Sequence, residues 1–371
     1  MKKFNLLHDY ENGEIFLDGV SYVMYDRKIG RTAHQLYYEK IIGPTTKTIL
    51  HNAAKKFSRK VFYKQYERYD EFRDERVVLK ILELFSKLGY GVPYMICYDD
   101  KNLKFKIAIK NCYNAGDFKN FNKPFCYEMS GILAGLFEVV FGKEMICSEI
   151  KCRTMNWKYC EFGIKSTGRD IEPCEEYENK NEGISERKIR EVDILFDEEN
   201  GEIFSYGISS FLYPREEVAT IEREFRGIIG PVIGTIDYNM TKKATIEGVK
   251  DIIKSSIFNR VLIMLMNRKF HEKLLEIASV RGYGIIKIVE YDEKESIVLR
   301  VKNSYCAMGY KNLEYCVCNS LAGIIAGAAE VALNRNMKCV ERKCVAKGDK
   351  YCEFELFEDK GLMDDLIIYK S

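Results

Sequence analysis

Tryptophan is nearly absent from this chain: 371 residues hold one, Trp157, beside only six prolines and four histidines. No apolar run approaches the ~20 residues needed to span a bilayer. The opening MKKFNLLHDYENGE carries two lysines with no apolar stretch behind them, so no signal peptide is expected. An excess of one charge is missing as well. Fifty-eight basic against 56 acidic side chains leave +2, a balance that gives no sign of a polyanion binder and leaves room only for a local basic patch. The cluster Lys55-Lys56 and Arg59-Lys60 is the only basic hint, and acidic residues follow it closely. Glycine-rich phosphate loops, His-Glu-x-x-His and Gly-x-Ser-x-Gly are also lacking, so the common phosphoryl-transfer, zinc-protease and serine-hydrolase signatures are excluded. With 46% hydrophobic and 31% charged residues, the chain is expected to be a soluble, cytoplasmic protein of two or three domains.

What is present is a repetition. Asn12-Gly13-Glu14-Ile15-Phe16 returns as Asn200-Gly201-Glu202-Ile203-Phe204, and Ile41-Ile42-Gly43-Pro44 as Ile228-Ile229-Gly230-Pro231. Gly89-Tyr90-Gly91 returns as Gly282-Tyr283-Gly284. The offset drifts between 187 and 193, then locks at 192 from Asn111 to Phe162, where 22 of 52 residues are identical. The chain is a tandem duplication. Residues 1–165 form the first copy with an N-terminal hairpin, and residues 189–371 form the second. Between them STGRDIEPCEEYENKNEGISERK, residues 166–188, is polar, aperiodic and linker-like.

Both copies share one order of expected elements. A hairpin turns at Asn-Gly, a pair suited to a type I′ turn. A long helix follows Gly43-Pro44 or Gly230-Pro231, then a second amphipathic helix (VVLKILELFSKLGYG, EKLLEIASVRGYG) ends at glycine. Two strands come next, VPYMICYDD and LKFKIAIKN, matched by IIKIVEYDE and SIVLRVKN. A third helix over 126–141 and 318–333 leads into a last pair of strands. The fold class is therefore α+β: two tandem copies of an antiparallel sheet packed with helices.

Thirteen cysteines carry the chemistry. Cys126, Glu149, Cys152 and Cys160 recur 192 positions on as Cys318, Glu341, Cys344 and Cys352. Three thiolates and a carboxylate make a complete tetrahedral zinc set. A helix start supplies one ligand and a strand–loop–strand the other three, so one Zn2+ per copy would pin helix to sheet. With no open position such a site is structural. Free cysteines packed in a core, disulfides and an iron–sulfur cluster are the competing readings. Lys151, Arg153 and Lys158, and Arg342, Lys343, Lys347 and Lys350, could screen the site's negative charge or simply be solvated. Gly131 and Gly135, and Gly323 and Gly327, put small residues four apart on the third helix, permitting close approach to the sheet or to another subunit. Glu138 and Glu330 on that helix are given no role.

Cys…Glu-x-x-Cys-x7-Cys, closing on Cys-Glu-Phe after a Gly-x-x-x-Gly helix, resembles the 4-vinyl-reductase-type domain. That domain is related in fold to TRAPP core subunits and to the sensory domains of phenol-responsive transcription activators. The resemblance covers roughly residues 40–163 and 227–356. It implies that the two Cys3Glu sets bind two Zn2+, one per repeat, that an enclosed apolar pocket lies beside the metal, and that the protein dimerises.

Tyr94, Ile96, Phe105, Ile107 and Cys147 in the first copy, and Ile285, Val289, Ile297 and Cys339 in the second, are the candidate pocket residues, with core packing the plain alternative. Phenol is disfavoured: the phenol-sensing relatives grip the hydroxyl with tryptophan and histidine, whereas Phe105 and Ile297 stand at the tryptophan position here. Of the histidines His8, His34, His51 and His271, none repeats between copies. No catalytic residues are assigned. The expectation is a non-catalytic sensor or regulatory module for a small hydrophobic or aromatic ligand. No ATPase or helix-turn-helix segment is read in the chain, so it would act through a protein partner or homodimer. The alternatives are a scaffold built as an internal pseudo-dimer and, below that, an accessory to tetrapyrrole vinyl reduction.

Overall fold

The computed structural model describes residues 2–27, 31–67, 74–116, 118–171, 189–205, 207–255, 275–292 and 296–360. Cys174, His271 and most of the expected linker lie outside them. Two compact units result, one from Met1–Ile233 with Val280–Gly282, the other from Gly234–Ser279 with Tyr283–Ser371.

The first unit begins with β1 (Lys2–Asp9), β2 (Glu14–Leu17) and β3 (Val20–Asp26). These do not remain a separate hairpin. They pair with β8 (Ile189–Asp197), β9 (Glu202–Ser205) and β10 (Ile208–Pro214) in a closed barrel of order β1-β2-β3-β10-β9-β8. Asn5 lies opposite Asp193 and Met24 opposite Leu212, each facing its own counterpart in the other copy. The two copies' opening strands are thus related by a pseudo-twofold axis. Closure removes the unpaired edges that two isolated three-stranded ribbons would expose. The Asn-Gly turn also differs from expectation. Asp9 pairs with Glu14 across a four-residue loop, where the amides of Glu11 and Asn12 donate to Asp9 Oδ1 and only Gly13 takes a positive φ, 64°. An aspartate a few residues before the glycine outcompetes the two-residue turn by supplying a side-chain acceptor; Asp197 does the same before Gly201.

The rest of the first unit carries α1 (Arg31–Ile42), α2 (Thr45–Glu67), α3 (Glu75–Lys87), α4 (Tyr127–Phe141) and α5 (Arg215–Ile229). Its second sheet is antiparallel, with order β4-β5-β7-β6, built from β4 (Val92–Asp99), β5 (Lys104–Lys110), β6 (Lys143–Lys151) and β7 (Cys160–Asp170). Residues 166–170, read as the start of the linker, instead continue β7. α3 buries Val77, Val78, Ile81, Leu82 and Phe85, the i, i+4 stripe visible in the sequence, and Asp74 caps it through the Arg76 amide at 2.8 Å. In the second unit α6 (Val232–Ser255, its first two residues counted with the first unit), a helical stretch over 275–279 and α7 (Asn319–Leu333) accompany the matching sheet β11-β12-β14-β13. Its strands are β11 (Ile285–Tyr291), β12 (Ile297–Lys302), β13 (Met337–Lys343) and β14 (Cys352–Glu358).

The glycine pairs serve a contact that neither expectation named. They face the long helix of their own repeat, not the sheet or another subunit. A Cβ on Gly135 would stand 2.5 Å from the Lys55 carbonyl oxygen of α2, and one on Gly327 2.5 Å from that of Lys242 in α6. Close backbone approach lets polar groups cross the seam. Glu138, 1% exposed, accepts from Lys55 Nζ at 2.6 Å and from the Met145 amide at 2.9 Å, while the less buried Glu330 pairs with Lys242 at 2.9 Å. Arg59 Nε, 3.6 Å from the other Glu138 oxygen, adds a second cation to this carboxylate. His51 of α2 meets the Ser130 hydroxyl of α4 at 2.8 Å, and burial with nearby Lys55 and Lys47 lowers its pKa to about 4.

Two outcomes follow from this seam. Gly135→Ala should lower stability by about 1–3 kcal/mol through overpacking against backbone, read as a lower denaturant midpoint; an unchanged midpoint would mean the helices are not held this closely. His51 is neutral when folded and protonates more readily when unfolded. Stability should therefore fall as pH drops from the unfolded pKa near 6.5 towards 4. His51→Gln should flatten that part of the stability–pH curve.

Candidate metal centres and apolar cavity

Each repeat brings its three cysteines and one glutamate to one point. One ligand-type atom from each of Cys126, Glu149, Cys152 and Cys160 lies within 4.8 Å of the others, and likewise for Cys318, Glu341, Cys344 and Cys352. Cys126 is the residue before α4, Glu149 lies in β6, Cys152 follows it, and Cys160 opens β7 after a 3₁₀ turn over Arg153–Met155. The sulfur–sulfur distances are 3.8, 3.6 and 3.9 Å in the first set and 4.0, 3.6 and 4.0 Å in the second. A disulfide would need about 2.05 Å. Tetrahedral coordination at the usual zinc–sulfur length of about 2.3 Å puts sulfurs roughly 3.8 Å apart. The spacing matches ligands around one ion.

The carboxylates decide the fit. Glu149 Oε2 accepts from the amides of Phe125 and Cys126, both at 2.7 Å, and Glu341 Oε2 from the Cys318 amide at 2.8 Å. The helix N-terminus thus fixes one oxygen of each carboxylate. The other, Oε1, is buried in both residues and has no hydrogen-bond partner among the described residues. Burial, with the Cys152 or Cys344 sulfur next, pushes both carboxyls up to about 9. A buried carboxylate beside three sulfurs is costly without a cation, and the orphan oxygen offers the lone pair a cation would use. Cys152 is held towards the thiolate by hydrogen bonds from the Cys126 and Cys160 thiols, and Thr154 Oγ1 adds another at 3.0 Å. Lys151 and Lys343, considered as charge screens, pair outward with Glu161 and Glu353, each at 2.8 Å.

The repeats differ around these sets. Cys112, absent from the residues singled out in the sequence, lies 3.8 Å from Cys126 Sγ; its counterpart Ser304 lies 3.2 Å from Cys318 Sγ. The signal for it was only a cysteine–serine exchange at offset 192. Cys147 and Cys339 are buried outside both sets, and burial raises their thiol pKa values.

An apolar cavity of about 70 Å3 lies in the second unit, lined by Leu275, Ile288, Ile297, Leu299, Leu356 and the α7 residues Ile325, Ala328, Ala329, Ala332 and Leu333. No polar side chain lines it among the described residues. Of the candidate pocket residues only Ile297 borders this space. Val289, at the register shift between Ile288 and Glu290, is exposed, and Ile285, which alternates with the buried Ile286, is half-buried. Tyr94 and Ile96 are exposed, whereas Phe105 and Ile107 are buried. The cavity is also not beside the metal centre. It begins roughly two turns along α7 from Cys318 and extends to four.

The 4-vinyl-reductase-type domain matches residues 105–166 and 297–358, which hold both Glu-x-x-Cys-x7-Cys segments. An uncharacterized protein of Methanocaldococcus jannaschii is 32% identical over 123 residues, 33% of this chain and 70% of that protein. The chain belongs to the 4-vinyl-reductase domain family. Among solved structures, a vinyl-4-reductase family protein of M. jannaschii aligns with 18% identity and TM-score 0.26, covering 32% of this chain and 68% of that one. The phenol-responsive sensory domain of the transcription activator PoxR, solved with phenol, aligns with 13% identity and TM-score 0.36, covering 44% and 84%.

Cys126 and Cys112 separate ligand from neighbour in this 4-vinyl-reductase-domain protein. Cys112→Ser reproduces the second copy's hydroxyl and should cost only about 1 kcal/mol, because that hydroxyl can meet Cys126 Sγ as Ser304 meets Cys318 Sγ. Cys126→Ser should cost several times more and abolish the stability lost on adding a chelator to that repeat. Equal effects would place Cys112 in the coordination set.

Proposed function

We propose that this 4-vinyl-reductase-domain protein is a non-catalytic binding module for a small hydrophobic molecule, built on two structural Zn2+ sites. The observation that carries the binding role is the cavity: the described residues that line it are all apolar, which favours apolar guests. Nothing in its lining could grip a phenolic hydroxyl, which agrees with the low expectation for phenol. Cys126, Glu149, Cys152 and Cys160, and Cys318, Glu341, Cys344 and Cys352, would hold the two metals. Bound zinc supplies charge neutralisation and a cross-link between the start of the third helix and the last two strands. Four protein donors per ion leave no place for a substrate, so the metals serve folding. The occupied state would pass to a protein partner or a second copy.

A scaffold is the second reading, and the pseudo-twofold barrel favours it, since two copies already share one closed sheet. Membrane insertion has no support among the described residues, where no helix is long and apolar enough to cross a bilayer. Melting in graded benzene separates the readings. A binding module should melt at temperatures that rise with the logarithm of benzene concentration above its Kd. A flat response to benzene and to linear alkanes would remove the binding role and leave the scaffold.

A further inference from the structure

The duplication allows each position of the cavity to be compared with its twin. Phe105 faces Ile164 across β5 and β7, as Ile297 faces Leu356 across β12 and β14, so the two sheets are in the same register. At the constant offset of 192, Ala328, Ala329, Ala332 and Leu333 of α7 correspond to Leu136, Phe137, Val140 and Phe141 of α4. In the first repeat these larger side chains occupy the equivalent helix–sheet space. Phe105 and Phe137 have ring centroids 4.6 Å apart, Phe105 and Phe141 are stacked at 4.8 Å, and Phe137 and Phe141 are stacked at 5.9 Å. Leu136, Phe137 and Phe105 are 3% exposed or less.

Ordinary drift in a core conserves volume, because close packing penalises both gaps and excess. Here four helix positions and one strand position all change in one direction, from large to small. The uncompensated loss leaves space where the first repeat has a stacked aromatic plug. Cavities left by large-to-small changes cost stability in proportion to their volume, and a guest that fills the space recovers that stability.

We infer that the two repeats have divided their roles: the second repeat alone takes the ligand, and the first is permanently filled by its own phenylalanines. The inference rests on the binding role proposed above and deepens it. The stoichiometry is one ligand and two metals per chain. The guest is a small uncharged hydrocarbon, or the hydrocarbon part of a larger molecule, because Leu275, Ile288, Leu299, Ile325 and the three alanines offer it only methyl and methylene contacts. In effect, the guest stands in for the Phe137 ring.

The test uses the full-length, metal-loaded chain with benzene and xenon as probes. Methyl NMR of the unmodified protein should show shifts at Leu275, Ile288, Ile325 and Ala329 and none at Ile107, Leu133 or Ile164, saturating at one site. Ala329→Phe restores the plug residue and should weaken benzene binding by about tenfold or more, with melting temperature held or raised. Phe137→Ala opens the first repeat and should add a second benzene site. Probe shifts in the first repeat of the unmodified chain, or full affinity in Ala329→Phe, would overturn the division of roles while leaving the binding role intact. No response of the unmodified chain to either probe would overturn both. The NMR map needs no variant, so the inference stands or falls even if a substituted chain does not fold.

Discussion

Three sulfurs and one carboxylate, buried together at the start of a helix, are the constraint on which each repeat's architecture depends. Such a group is unstable alone: four acidic side chains share a space within 4.8 Å, and each anion removed from water needs compensation. A divalent cation bound there would turn that liability into a cross-link. It would join elements consecutive in the chain, the N-terminus of α4 or α7 and the strand pair that follows. Glu149 and Glu341 have two tasks, since one oxygen satisfies helix amides and the other remains for the ion. The same atoms that cap the helix would thereby aim the carboxylate.

Around that fixed point, duplication has been used in two ways. In the barrel it is used symmetrically. Strands of both copies close one sheet about a pseudo-twofold axis, so neither copy's opening ribbon could be completed without the other's. In the helix–sheet cores it is used asymmetrically. The glycine seam, its lysine–glutamate pair and the Cys3Glu set are kept in both, whereas the space above α4 is filled with aromatic rings and the space above α7 is lined by alanines. Features tied to metal and backbone geometry repeat, while side-chain volume is free to diverge.

Much of this was legible from residues alone. The Cys-Glu-Cys-Cys spacing, its recurrence at 192 and the apolar periodicities located both metal sets and the helices around them, because such patterns are local in sequence. The barrel was not legible: hairpin signals describe neighbouring strands, and nothing in Asn12-Gly13 says that β1 will pair with β8. The glycine stripe announced a close approach without naming its partner, since i, i+4 spacing defines a face and not what lies against it. Of the candidate pocket residues, Ile297 borders the cavity, while Ile285 and Val289 do not, since alternation along a strand does not say which of its faces turns inward. On the helix side of that cavity lie three alanines that align with a leucine, a phenylalanine and a valine in the twin repeat. Cys112 was hidden because its counterpart is serine.

The most direct measurement is the intact mass of the natively purified protein, compared under native and denaturing conditions. Loss of two zinc masses per chain on denaturation is the predicted result, one from each Cys3Glu set. A native mass equal to that of the bare polypeptide, with no metal released, would contradict the account at its centre.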